Sequence, residues 1–206
     1  MTRYVTGLPG EASIHLHGED IPRFLQGQLT CDLRQLTPAR AIAGAMCNVK
    51  GRVISDMWVV PAGEDHCILR LRRSLAEEFA ENLERYARFS RIAVEVDPRE
   101  DAITGVYGDI DASALPGAPG DIIEADGQLW LRSGPMQLQC IDLDTARETR
   151  PVAPPEGAEA GQQAHWQAET LSDGHYALEK TDSERFTPQA LNYDESGRVA
   201  FDKGCY

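Results

Sequence analysis

Asn48, Lys50, Arg52 and Asp56 surround the glycine at position 51. They offer donors, cations and one carboxylate within a compact predicted hairpin. Such a set can hold a polar heterocycle with an anionic tail. The plainer alternative is a solvated hairpin with charged flanks. Gln26 and Gln28 flank Gly27 just beyond a short predicted helix. Their amides suit the edge of a ring, or else they are exposed glutamines at a helix C-cap. Cys205 follows Lys203 and Gly204 near the end of the chain. A nearby ammonium lowers a thiol pKa and favours the nucleophilic thiolate. A single thiol near a terminus is otherwise incidental.

The other candidates read as structural. Cys31, Cys47, Cys67 and Cys140 lie in or beside apolar segments, as small buried hydrophobes do. Five widely spaced cysteines without a C-x-x-C pair point to free thiols in a reducing cytosol. His15 and His17 share one strand face, but the sequence supplies no obvious further metal ligand. His165 and His175 flank a predicted helix as structural residues. There is no Walker A loop, G-x-G-x-x-G, G-x-S-x-G or H-E-x-x-H pattern.

The elements that must position these residues alternate strand and helix patterns. Period-two runs predict strands over 13–17, 41–46, 53–60, 67–71, 92–96, 103–107, 129–132 and 137–141. Asp20 is placed to cap a short helix through Ile21, Phe24 and Leu25. Ser74 and Glu77 form a capping box for a longer helix. That helix carries Leu75, Phe79, Leu83, Tyr86 and Ala87 on its apolar face. The stretch 109–127 reads as a loop with one short turn of helix. Residues 150–161 read as a connection into a helix over 162–171. The last 35 residues look polar and irregular. The class is α+β, because most strand connections are too short for parallel crossovers.

Composition narrows the function. The 206 residues hold 20 Lys and Arg against 33 Asp and Glu, a net charge of −13. So acidic a chain lacks the footprint of a general nucleic-acid or membrane-surface binder. The N-terminus has no signal-peptide pattern. The longest apolar run, 57–61, is far too short to span a bilayer. A cytoplasmic protein is expected.

Four segments carry a family resemblance: FLQGQLTCDL, CNVKGRVISD, FTPQALN and KGCY. In this order they resemble the YgfZ-type folate-binding proteins, relatives of the glycine-cleavage T-protein, an aminomethyltransferase. The resemblance implies an α+β folate-binding domain over 1–206, built from two intertwined ferredoxin-like subdomains with an internal boundary near 97–110. It implies that the family's C-terminal β-barrel domain is absent here, the chain ending at Tyr206 inside the KGCY motif. The implied cofactor is tetrahydrofolate or another reduced folate. The implied partners are iron–sulfur client enzymes or assembly proteins, with only an indirect link to tRNA modification. Cys205 becomes the functional thiol. Asp56 becomes the carboxylate at the pterin, with Gln26 and Asn48 as amide contacts. Lys50 or Arg52 would meet the glutamate tail, and Lys203, beside the thiol, would be a further cofactor contact. T-proteins carry two adjacent aspartates where this chain has Ser55-Asp56. They carry a pterin-holding glutamate where it has Ser172, a position at which YgfZ proteins usually have arginine. The alternatives are a tetrahydrofolate-dependent one-carbon transferase and a fragment whose fold persists without a competent site.

Overall fold

The structure is a computed structural model that describes residues 2–110, 116–146 and 157–203. Cys205 and the rest of the KGCY tail beyond Lys203 lie outside the described residues. So do 111–115 of the predicted 109–127 loop and 150–156 of the predicted 150–161 connection.

The chain begins with β1 (Arg3–Gly7), β2 (Glu11–His17), α1 (Ile21–Gln26) and β3 (Ile42–Cys47). Next come β4 (Val53–Gly63), β5 (His66–Arg72), α2 (Arg73–Ala87) and β6 (Ala93–Val96). It continues through β7 (Ile103–Gly108), β8 (Ile122–Ala125), β9 (Gln128–Gly134) and β10 (Gln137–Asp142) to β11 (Ala158–Ala160) and α3 (Gln163–Ser172). Two sheets result. One runs β11-β1-β7-β10-β9-β8 and the other β3-β4-β5-β2-β6. Among the described pairings only β1 with β11 is parallel. The chain enters the six-stranded sheet with β1, builds the whole five-stranded sheet, and returns with β7.

Alternation along β2 and β5 gives the five-stranded sheet two different faces. Ala12, Ile14 and Leu16 join Leu69, Leu71, Leu75, Phe79 and Leu83 in one core against α2 and α1. On the opposite face, Trp58, Val60 and Ile68 pack with Ile103, Tyr107, Leu131, Ile141 and Trp166 in a second core between the sheets. Gly105 makes room for the Trp166 ring, since a Cβ there would lie 2.7 Å from Trp166 Cε3.

Several expectations change. Strands β1, β8 and β11 are absent from the sequence reading. β11 is three residues long, and β8 sits within the stretch read as a loop. Short strands of this kind are fixed by their neighbours rather than by their own pattern. Asp20 precedes α1 but does not cap it with its side chain. Its backbone is left-handed, with φ 57°, and its carboxylate faces Arg23. The capping box is also absent. β5 runs straight into α2, so Arg72 becomes the N-cap, and Ser74 Oγ donates to Glu179 Oε2 instead. Tyr86 is 50% exposed, although the predicted apolar face included it.

The helix face is testable. Phe79→Ala is expected to cost about 3–5 kcal/mol, as large-to-small changes in a packed core do. Tyr86→Ala is expected to stay within about 0.5 kcal/mol of wild type. Urea unfolding of both variants measures the contrast.

Candidate functional site

β4 carries Asp56 onto the inter-sheet face, where the residue is 6% exposed. Both carboxylate oxygens are engaged. Oδ1 accepts from the Leu178 N–H at 2.9 Å, and Oδ2 lies 2.8 Å from His175 Nε2. Arg198 Nε stands 3.9 Å from Oδ2. Arg198 is itself buried, with its guanidinium carbon 5.9 Å from the Trp58 ring centre and 5.7 Å from that of Tyr193. Tyr193 is fully buried and donates its hydroxyl to Tyr176 O at 2.8 Å.

The charges follow from these contacts. Burial pushes the Asp56 carboxyl up, but His175, Arg198 and the Leu178 N–H outweigh it and hold the group well below the usual carboxylate range. Burial, with Arg198 beside it, pulls His175 below its ordinary value against the opposing bond to Asp56. A neutral imidazole facing an ionised carboxylate must present Nε2–H as the donor. The sequence reading leaves His175 as a structural residue flanking a helix. The fold makes it the partner of Asp56 and the wall of two cavities.

The first cavity holds about 170 Å³ and is lined by Glu11, Arg70, Arg72, Trp166, His175 and Glu179 among others. Its charges are paired: Glu11 accepts from Arg70 Nη1 at 2.8 Å and Arg72 Nη1 at 3.0 Å. Arg70 Nε also donates to Gln139 Oε1 across the sheets, at 2.5 Å. The second cavity, about 450 Å³, shares Leu171, His175 and Tyr176 with the first and reaches Phe186, Leu191 and Asn192. A third, outer cleft of about 740 Å³ gathers Gly27, Gln28, Asn48, Lys50, Thr187 and Gln189, with Tyr86 on its rim. The segment 186–192 therefore separates two cavities. Phe186, Ala190 and Leu191 face one, and Thr187, Pro188 and Gln189 face the other.

The predicted site residues divide accordingly. Asn48 and Lys50 line the outer cleft, whereas Asp56 lines none of the three cavities and reaches only the first two, through His175. Asn48 Oδ1 accepts from the backbone N–H of Lys50 and Arg52, at 2.9 and 3.0 Å, and shapes the hairpin turn. Its amide nitrogen donates to Glu184 Oε1 at 3.1 Å. Arg52 donates to Arg185 O at 3.3 Å. The Gln26 amide is taken up inside its own loop, donating to Asp32 and accepting from the Leu33 N–H. Lys203 donates to the carbonyls of Gln26 and Leu29, so the C-terminal segment is fastened to the FLQGQL turn. Ser172 donates back to Ala168 O inside α3. A hydroxyl so placed is no substitute for a carboxylate or a guanidinium.

Burial disfavours the reactive thiolate at each described cysteine. Cys31, Cys67 and Cys140 are buried and Cys47 is half-buried. Burial pushes Cys31, Cys47 and Cys67 up to about 11, and Cys140 up to about 12.

The Asp56 pair sets an acid dependence. A carboxyl held low in the fold stabilises it above the unfolded value of about 3.9, and that contribution is lost as pH falls below it. Asp56→Asn leaves Arg198 buried without its counter-charge, a change expected to cost about 3–5 kcal/mol near neutral pH. The gap between the two proteins should close below about pH 4. Urea unfolding across the pH range measures it, and a gap that does not change with pH would mean that Asp56 is already neutral.

Comparisons with known proteins agree with the motif resemblance. The chain is 30% identical over 200 residues to the tRNA-modifying protein YgfZ of Vibrio atlanticus, covering 95% of this chain and 60% of the relative. It is 30% identical over 202 residues to the protein of that name from Klebsiella pneumoniae, covering 93% and 61%. The chain thus spans about 60% of the length of these curated relatives. No family model matches it. Among solved structures, the glycine cleavage system aminomethyltransferase T of Bartonella henselae superposes with a TM-score of 0.75. That match has 18% identity and covers 98% of this chain and 59% of the other, so it speaks for the fold alone. No described helix is long and apolar enough to cross a membrane. The chain is a homologue of the YgfZ proteins, an α+β protein built on the fold of aminomethyltransferase T.

Proposed function

We propose that the chain is a cytoplasmic folate-binding protein that supports iron–sulfur cluster assembly or repair on client enzymes. Its connection to tRNA modification, the property in its relatives' name, would run through such clients. The observation that carries the folate reading is the wall formed by 186–192, with the Asp56–His175 pair behind one cavity and Asn48 and Lys50 on the other.

The residues present fit a reduced folate. Phe186 and Tyr176 line the second cavity with aromatic surface suited to a pterin, and His175 and Asn192 line it with polar groups. The Lys50 ammonium, exposed at the hairpin, suits an anionic glutamate tail. Cavities of about 450 and 740 Å³ lie within the range of small-molecule sites, about 300–1,000 Å³. A bound reduced folate would supply one-carbon and redox chemistry. The chain's own part is to orient the pterin through His175, which Asp56 holds, and to anchor at Lys50 a tail that passes over the 186–192 segment from one cavity to the other. Cys205 is the thiol this reading assigns to function.

A one-carbon transferase would need Asp56 for a substrate amine. Both of its oxygens are already engaged, and Ser55 and Ser172 stand where T-proteins carry carboxylates. Binding without turnover is therefore the favoured reading.

Calorimetric titration with 5-formyltetrahydrofolate and its triglutamate tests the site. The folded chain should bind both. His175→Gln should weaken both about equally, and Lys50→Ala should weaken the triglutamate more. A folded chain that binds neither form refutes the folate reading. In a strain lacking the gene, wild type but not Cys205→Ser should restore client iron–sulfur enzyme activity. Full rescue by the serine variant removes the thiol role.

A further inference from the structure

Three of the chain's five histidines meet at the open end of the β2–β5 pair. His15 and His17 stand two residues apart on β2, and therefore on one face. His66, the first residue of β5, is directly opposite His17 in the antiparallel register. The Gly18 N–H donates to Asp65 O at 3.1 Å and fixes this end of the ladder. One nitrogen from each imidazole lies within 4.8 Å of the others. His15 Nδ1 and His66 Nε2 are 3.0 Å apart. The rings of His17 and His66 are stacked, with centres 4.2 Å apart.

From this geometry we infer a binding site for a divalent transition-metal ion of the zinc class, held by His15, His17 and His66. Ligand nitrogens at about 2.0–2.1 Å from a tetrahedral ion lie roughly 3.3 Å apart. The 3.0 Å pair needs to open by about 0.3 Å, and the His17 ring, stacked on His66, turns about its side-chain torsions to bring its nitrogen to the ion. The far side of His15 supports the assignment. Its Nε2 is buried and makes no hydrogen bond, and it faces Asp97 Oδ2 at 4.0 Å. Asp97 is in turn gripped by Arg99, at 2.7 Å. A carboxylate behind the non-ligating nitrogen is the usual outer partner of a metal-bound imidazole. At 4.0 Å Asp97 is beyond hydrogen-bonding distance, and it would close on Nε2–H of His15 as Nδ1 takes the ion. Three nitrogens leave a fourth position for water, reached from the side of the exposed His17. Imidazole ligands favour zinc, copper and nickel over calcium or magnesium. The site is distinct from the Asp56–His175 pair and does not depend on the folate reading.

The metal-stripped 206-residue chain titrated with Zn²⁺ by calorimetry, and with Co²⁺ by visible absorption, tests the inference. One ion per chain is expected, with the d–d bands of a nitrogen- and oxygen-ligated Co²⁺. Loss of an outer partner alone costs about 10–100-fold in affinity, so His17→Ala and His66→Ala should each cost at least that. His165→Ala, on the exposed side of α3, should bind as wild type does. The His17 side chain is exposed, so its removal leaves the core intact. A folded chain that takes up no ion overturns the site. So does binding that survives either substitution, or a strong thiolate charge-transfer band.

Discussion

Charge buried between two sheets is the constraint on which the rest of this structure depends. A five-stranded and a six-stranded sheet close face to face, and the seam contains Glu11, Asp56, Arg70 and Arg198 as well as hydrophobic side chains. An unpaired ion in such a place costs several kcal/mol. Each is therefore matched: Glu11 by Arg70 and Arg72, and Asp56 by Arg198 with the His175 bond. Pairs of this sort add little net stability compared with apolar residues of the same size, but breaking one is expensive. Glu11 with Arg70 and Arg72 ties β2 to β5 within the five-stranded sheet, and Asp56 with Arg198 and His175 ties β4 to the C-terminal segment. Between the sheets, Arg70 donates to Gln139 of β10, and Arg99 bridges where the chain crosses. It holds Asp97 just beyond β6 at 2.7 Å and Asp142 of β10 at 3.0 Å.

The C-terminal segment completes this arrangement. Its polar, aperiodic sequence hides how firmly it is attached. The Val53 N–H donates to Phe186 O, the Glu184 N–H donates to Val53 O, and Thr30 Oγ1 donates to Arg198 O. These bonds lay the FTPQALN segment against the β3–β4 hairpin and the FLQGQL turn. Motifs more than a hundred residues apart thereby line one cleft, and Leu178, Tyr193 and Arg198 reach the interior. Segments without regular structure have no periodicity to betray burial. Their contribution is legible only as side-chain chemistry, which is how their motifs first stood out.

The long strands and the α2 face were readable because burial imposes a period on them. Ile14, Leu16, Leu69, Phe79 and Leu83 all lie where that period puts them. β11 and β8 were not readable, since three or four residues contain too little alternation. The ends of α1 and α2 were misread for a different reason. Asp20 and Ser74 have the right chemistry for caps, but a left-handed turn and a strand running directly into a helix gave their side chains other partners. Asn48 and Lys50 line the outer cleft, whereas the Gln26 amide is taken up by its own loop. The contacts of His175 with Asp56 and of His66 with His15 were not legible, because the partners are distant in sequence.

Those two omissions share an origin. A one-residue slip in β2 against β5 would turn every side chain of the strand to the other face. The register is held by the apolar set Ala12, Ile14 and Leu16, which must face α2. That demand alone sends Glu11, Ser13, His15 and His17 to the inter-sheet face. Across the ladder, the same register brings Arg72, Arg70 and His66 to meet them. β4 follows the same alternation, so Met57 and Val59 in the core imply Asp56 and Trp58 in the seam. The ion pairs near Asp56 and the histidine triad at the strand end are therefore both consequences of one hydrophobic alternation. The core selects the register, and the register assembles the chemistry.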